Sequence, residues 1–151
     1  TVYAAATKTN NFKMKFFVAI AIFALIAGVF EQKAKIKEYG EQCKKEVTIS
    51  EEEVTKLRNK DFSSPTDAQK CFIRCFFEKT GAYKDDAIQE GVVLQKLGAI
   101  IGEEKTKELM AKCNGLKGAD NCDTAFKIFE CYENGKSLIF IYLFQNQIWF
   151  I

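Results

Sequence analysis

Six cysteines, Cys43, Cys71, Cys75, Cys113, Cys122 and Cys131, in a chain of 151 residues constrain its fold more than any other feature. In an exported chain an even set of cysteines reads as a disulfide framework, here three bonds, for which sequence alone leaves fifteen pairings open. Export is signalled by the segment from Met14 to Gly28: a lysine beside the methionine, an uncharged apolar run from Phe16, then small residues at Ala27 and Gly28. The run from Phe16 to Phe30 falls short of the roughly 20 residues that span a bilayer, so a secretory signal peptide outranks a membrane anchor or a buried helix.

These boundaries divide the chain. Residues 1–13 precede the first methionine and read as leader or non-native sequence, 14–28 as the signal peptide, 29–137 as one domain, and 138–151 as an apolar tail. That tail, Leu138 to Ile151, is costly in water unless covered. Three readings stay open for it: a segment folded onto or into the domain, translation past a natural stop near Ile139, or a membrane-seeking end. Gln145, Asn146 and Gln147 interrupt it too soon for a transmembrane helix. Removing everything up to Gly28 takes away Lys8, Lys13 and Lys15 and no acid, leaving 19 basic and 20 acidic side chains and a formal charge of −1. No nucleic-acid partner, and no stable membrane insertion after signal cleavage, is expected of such a chain.

Apolar periodicity within the domain is helical throughout. Ile36, Tyr39, Gly40, Cys43 and Val47 share one face of a first helix from Gln32 to Val47. Ser50-Glu51-Glu52-Glu53 is a capping box for a second helix that ends near Asn59 to Phe62. Ser64-Pro65 predicts the N-cap and first position of a third helix running to Gly81, with Ala68, Cys71, Phe72, Cys75 and Phe76 as its stripe. A fourth is expected over roughly Asp86 to Ile101, weakened by Gly91 and Gly98, with Val93, Leu97, Ile100 and Ile101 on one face. The fifth, about Glu103 to Lys112, aligns Thr106, Leu109, Met110 and Cys113, and the sixth starts at Asp120 or Asn121 and ends at Gly135. No stretch shows sustained alternation with period two, so one all-α domain is predicted.

Helical geometry restricts what the cysteines can do. Cys71 and Cys75 stand one turn apart on one face, so each reaches a different partner segment. Cys122 and Cys131, nine residues apart, lie half a turn out of phase and tie the sixth helix on opposite sides. A Cys-x3-Cys pair without histidine or a second close pair argues against a metal site. The histidine count of zero removes Ser-His-Asp and Cys-His hydrolases and His-ligated zinc. Glu51-Glu52-Glu53 and Asp85-Asp86 are carboxylate clusters, read as capping and solvation rather than catalysis or calcium binding. An enzyme is therefore not expected, nor any cofactor or metal.

The intervals Cys43-x27-Cys71-x3-Cys75-x37-Cys113-x8-Cys122-x8-Cys131, on helices behind a signal peptide, resemble those of the six-cysteine insect odorant-binding proteins, in particular the shorter fly-type members. The resemblance covers about Glu31 to Ile139. It implies the pairing Cys43 to Cys75, Cys71 to Cys122 and Cys113 to Cys131, and a six-helix bundle, braced by disulfides, around an apolar cavity. It implies further a secreted carrier that takes odorants, pheromones or fatty acids through extracellular fluid. By analogy with the family's pocket, Phe62, Phe76, Val93, Leu97, Ile101, Leu109, Met110, Phe126, Phe129 and Tyr132 are the expected lining, although each aromatic alone reads as readily as core. Tyr132 and Tyr83 are candidate hydrogen-bond donors to a ligand, and Arg74 or Lys136 candidate partners of a carboxylate.

The partner expected on this reading is a small hydrophobic ligand, a fatty acid, alcohol, ester or aldehyde, held by a monomer or weak dimer. A chemosensory receptor would be a further partner, with no motif to name it. Release by imidazole protonation is unavailable without histidine, so an acid trigger would fall to carboxylates such as Glu130, Glu133 or Asp123. The competing class is a small secreted interaction, toxin-like or antimicrobial bundle whose cysteines only stabilise it. The charge of −1 speaks against a membrane-active one.

Overall fold

The computed structural model describes residues 14, 15, 17, 18, 21, 31 and 33–135, and the chain divides into two units, Thr1–Lys35 and Ile36–Ile151. In the first unit the described residues are helical, and Met14, Phe17 and Val18 are exposed. The expected leader, most of the signal peptide, Lys136 and the tail lie outside the described residues.

The second unit opens with helix α1 over residues 36–47, which places Cys43 in the interior and keeps Lys37, Glu38, Glu41 and Lys45 exposed, as the periodicity predicts. Helix α2, Glu51–Arg58, starts at the predicted capping box, with Ser50 Oγ accepting from Glu53 N and the Glu53 carboxylate accepting from Ser50 N. Helix α3, Asp67–Lys79, corrects one expectation: Thr66, not Ser64, is the N-cap, so Pro65 precedes the helix rather than opening it. Thr66 and Gln69 form a second capping box, a Thr-x-x-Gln signal that was present in the sequence. The two boxes interlock, because Thr66 Oγ1 donates to Glu53 Oε1 at 2.7 Å and buried Gln69 Nε2 donates to Glu53 O at 2.8 Å. These hydrogen bonds hold the Glu53 carboxyl below its ordinary range, Thr66 contributing most.

Between α3 and α4 the chain makes a small antiparallel hairpin that period-two analysis missed, β1 Tyr83–Lys84 and β2 Ala87–Ile88. Two-residue strands are too short to show alternation. Asp85 and Asp86, expected as helix start and solvated loop, form its two-residue turn with φ of 52° and 56°, a left-handed pair that short polar side chains tolerate. Helix α4 consequently begins at Glu90, not near Asp86, and runs to Ile101. One residue, Gly102 at φ 89°, ends α4 and starts α5, Glu103–Cys113; a side chain there would be strained by that backbone angle. Helix α6, Asn121–Gly135, is capped by Asp120, whose Oδ1 accepts from Asp123 N at 2.8 Å.

Three disulfides join these helices: Cys43–Cys75 links α1 to α3, Cys71–Cys122 links α3 to α6, and Cys113–Cys131 links α5 to α6, with Cα separations of 5.8, 4.6 and 5.7 Å. Helix α3 is thus tied to two partners and α6 on two sides, as the helical phases require. Its buried face differs from the predicted stripe, since Gln69, Ile73 and Cys75 are interior whereas Phe72 and Phe76 are half-buried and stack on each other at 6.4 Å. Cys71 and Cys75 are engaged by α6 and α1, and Ile73, about half a turn round the helix from both, faces the first apolar cluster. Among the described residues the architecture is six helices with one short hairpin, an all-α, disulfide-braced bundle.

Candidate functional site

Apolar side chains gather in two clusters that meet at one residue. The first holds Ile49, Val54, Leu57, Ile73, Phe126 and Phe129, with Phe62 and Phe72 packed against it. The second holds Leu109, Met110, Cys113, Ile128 and Tyr132, with Val93, Leu94, Leu97, Ile101 and Ile88 against it. Phe77 on α3 packs against both and meets Phe129 edge-on at 6.2 Å. Sequence reasoning missed Phe77, one position beyond the stripe assigned to α3, although helical phase relative to Ile73 places it on the buried face.

Of the ten expected lining residues, Phe62, Phe126 and Phe129 fall together in the first cluster, with ring centroids 5.5 to 6.3 Å apart. Val93, Leu97, Ile101, Leu109, Met110 and Tyr132 fall together in the second. Phe76 stacks with Phe72 one turn earlier on α3. The loop that carries Phe62 is fastened over the first cluster by Lys60, whose Nζ lies 2.9 Å from Glu133 Oε2 on α6.

Helix α4 is the most apolar of helices α2 to α6, yet none of its residues is buried. It lies along α5, and Val93, Leu94, Leu97 and Ile101 touch the second cluster while remaining half-exposed. Helix α4 thus leaves apolar surface accessible to water, the kind of surface that a bound apolar molecule would cover. On its other side, Gly91, Leu94, Gln95, Gly98, Ala99 and Glu103 line an open surface groove that none of the ten expected residues borders.

Polar groups on the surrounding elements differ in how they are satisfied. Tyr132 Oη donates to Asn114 Oδ1 at 2.7 Å, and Asn114 Nδ2 donates to Glu90 Oε1 at 3.2 Å, a relay joining α6, the end of α5 and the start of α4. Burial first, then the Glu90 charge, push the Tyr132 phenol up to about 12. Tyr83 is 2% exposed, and its hydroxyl has no hydrogen-bond partner among the described residues. Arg74, a candidate partner of a carboxylate, is already engaged, with Nε 3.0 Å from Glu78 Oε1 and Nη2 4.0 Å from Asp86 Oδ1.

Two of the three carboxylates considered for an acid trigger are occupied too. Glu133 pairs with Lys60, and Asp123 receives Lys70 Nζ at 2.9 Å and Ala119 N at 3.0 Å, which hold its carboxyl at about 2, Lys70 contributing most. Glu130 is half-buried. Among the described residues no group of three or more histidine, cysteine, aspartate or glutamate side chains is placed to hold a metal ion, and no helix is long and apolar enough to cross a membrane.

Residues 29–135 match the PBP/GOBP family. General odorant-binding protein 56a of Drosophila melanogaster is 50% identical over 120 residues, covering 80% of this chain and 86% of that protein. Odorant-binding protein 10 of Aedes aegypti is 36% identical over 105 residues, 68% of this chain and 74% of its own. Among solved structures, the fatty acid binding protein OBP56a from the oral disk of the blowfly Phormia regina superposes with a TM-score of 0.63 at 58% identity, covering 70% of this chain and 91% of that one.

Proposed function

This chain belongs to the PBP/GOBP family, and from that premise we propose that it is a secreted, non-enzymatic carrier whose cargo is fatty acids and related amphiphiles, lodged against the second apolar cluster. The observation that carries the reading is α4: seven half-buried aliphatic or small positions, Val92, Val93, Leu94, Leu97, Gly98, Ile100 and Ile101, and no buried one, in the most apolar of helices α2 to α6. A guest chain lying between α4 and Leu109, Met110 and Tyr132 would remove that surface from water, at about 0.8 kcal/mol per methylene before the costs of ordering and association. Met110, unbranched and adaptable, suits a wall that accepts several chain lengths. The blowfly relative is described as a fatty acid binding protein from the oral disk, which supports the cargo class.

The domain proper is residues 29–137 on this reading, and micromolar affinity with weak discrimination by chain length is expected. Native mass spectrometry of the oxidised chain with a panel of fatty acids, alcohols and esters tests it. One-to-one complexes across several chain lengths support the carrier; a folded, fully oxidised sample that retains none of them overturns it.

A further inference from the structure

Among the described residues glycine follows asparagine twice, at Asn114-Gly115 and Asn134-Gly135. Asparagine is a thermally labile side chain, and glycine, lacking a Cβ, lets its nitrogen approach the preceding amide carbon unhindered. The two pairs differ in setting. Gly135 is the last residue of α6 and lies against Leu109. Gly115 lies just beyond α5 in an exposed turn, and its amide donates to no other backbone group among the described residues. Asn114 itself has a φ of −65° and a ψ of −23°, so closing a ring onto Gly115 needs ψ to turn. Three hydrogen bonds resist that turn or withhold the side chain: Leu116 N to Cys113 O, Tyr132 Oη to Asn114 Oδ1, and Asn114 Nδ2 to Glu90 Oε1. The relay that joins α6, α5 and α4 is thus also a brake on this chemistry.

We propose that Asn114 is a site of spontaneous deamidation, and that the reaction cuts the relay and loosens the head of α4. The Gly115 nitrogen bonds to Asn114 Cγ and gives up its proton as the Cγ–Nδ2 bond breaks and ammonia leaves. One solvent water then opens the cyclic imide at either carbonyl, giving aspartate or isoaspartate, with nothing oxidised or reduced. Either product lacks the donor to Glu90 and sets a second carboxylate beside it, which the Glu90 charge repels. Nothing in this chemistry depends on the cargo.

Incubation of the full oxidised chain in heavy-oxygen water at mildly alkaline pH, then digestion in ordinary water and peptide mapping, tests the site. Label should accumulate at position 114 in both aspartate and isoaspartate. Gly115→Ala should prevent this, and it has room for its methyl, since a Cβ there meets nothing within 4 Å. Tyr132→Phe should speed labelling of Asn114 about fivefold, the worth of one neutral hydrogen bond, and leave Asn134 unchanged. Hydrogen exchange reads the consequence: Asn114→Asp should lose protection at the Val92 and Val93 amides, which donate to Gln89 O at the head of α4, and Glu90→Gln in that background should restore it. No label at position 114, equal labelling in Gly115→Ala, equal acceleration of Asn114 and Asn134 in Tyr132→Phe, or undiminished protection in Asn114→Asp would each overturn the proposal. If Tyr132→Phe fails to fold, Gly115→Ala and the exchange of Asn114→Asp decide.

Discussion

Tyr132 and Asn114 are joined by a 2.7 Å hydrogen bond from phenol to side-chain carbonyl, and through Asn114 the same bond reaches Glu90 at the head of α4. Tyr132→Phe should cost about 1 kcal/mol in denaturant unfolding. Asn114→Asp should cost more at neutral pH, because it removes the donor to Glu90 and sets two carboxylates together, and part of that loss should return below about pH 4. The tyrosine also gives an alkaline signature. Its folded pKa, about 12, lies above the unfolded one of about 10, so the stability it confers is complete below pH 10 and is lost as pH rises towards 12. Tyr132→Phe should flatten that part of the alkaline unfolding curve.

Asp123 predicts the acid limb. With its carboxyl held at about 2 by Lys70 and the Ala119 amide, the stability it confers is present above the ordinary aspartate value of about 3.9 and disappears as pH falls through 2. Asp123→Asn should be less stable at neutral pH and show a shallower decline between about pH 4 and 2, followed by circular dichroism.

The disulfides should differ in worth. In the chain-entropy account Cys71–Cys122, spanning 51 residues, contributes about 4 kcal/mol and Cys113–Cys131, spanning 18, about 3. Paired serine replacements compared in guanidinium unfolding test the order; a reversed order would show that local packing outweighs loop length.

Gly135 ends α6 against α5, where a Cβ would run into the Leu109 side chain. Gly135→Ala should therefore cost about 1 to 3 kcal/mol, and the cost should shrink in the Leu109→Ala background. A thermal-unfolding double-mutant cycle reads the coupling directly.

Cargo affinity should change little between about pH 7.5 and 6, because the chain has no histidine and Asp123 titrates far below that window. Isothermal titration at both pH values checks this; a tenfold difference would point to a coupled carboxylate.

Helices with strong local signals were legible in the sequence. Ser50 and Glu53 announced α2, and the stripe Thr106, Leu109, Met110, Cys113 was found wholly buried. The pairing implied by the family resemblance is the one observed. What escaped was hidden by a polar residue in a buried row or by very short elements. Gln69, Ile73 and the half-buried Phe77 form a helical row that was passed over because polar Gln69 breaks its apolar pattern, while Cys71, Phe72, Cys75 and Phe76 offered a more apolar stripe. The hairpin around Asp85 and Asp86 has strands of two residues, beneath the reach of alternation, and it moved the start of α4 by several positions. The state of Tyr83 follows from that hairpin, so its unpartnered hydroxyl was invisible until the register was known.

The three covalent bonds tie α1, α3, α5 and α6 into one frame and leave α2 and α4 unbolted. Helix α4 is attached through Gly102 at one end, through Gln89 and the hairpin at the other, and through side-chain contacts along its length, with no disulfide of its own. Substitutions confined to the twelve residues of that helix therefore leave every cysteine, and each helix that a disulfide bolts, untouched.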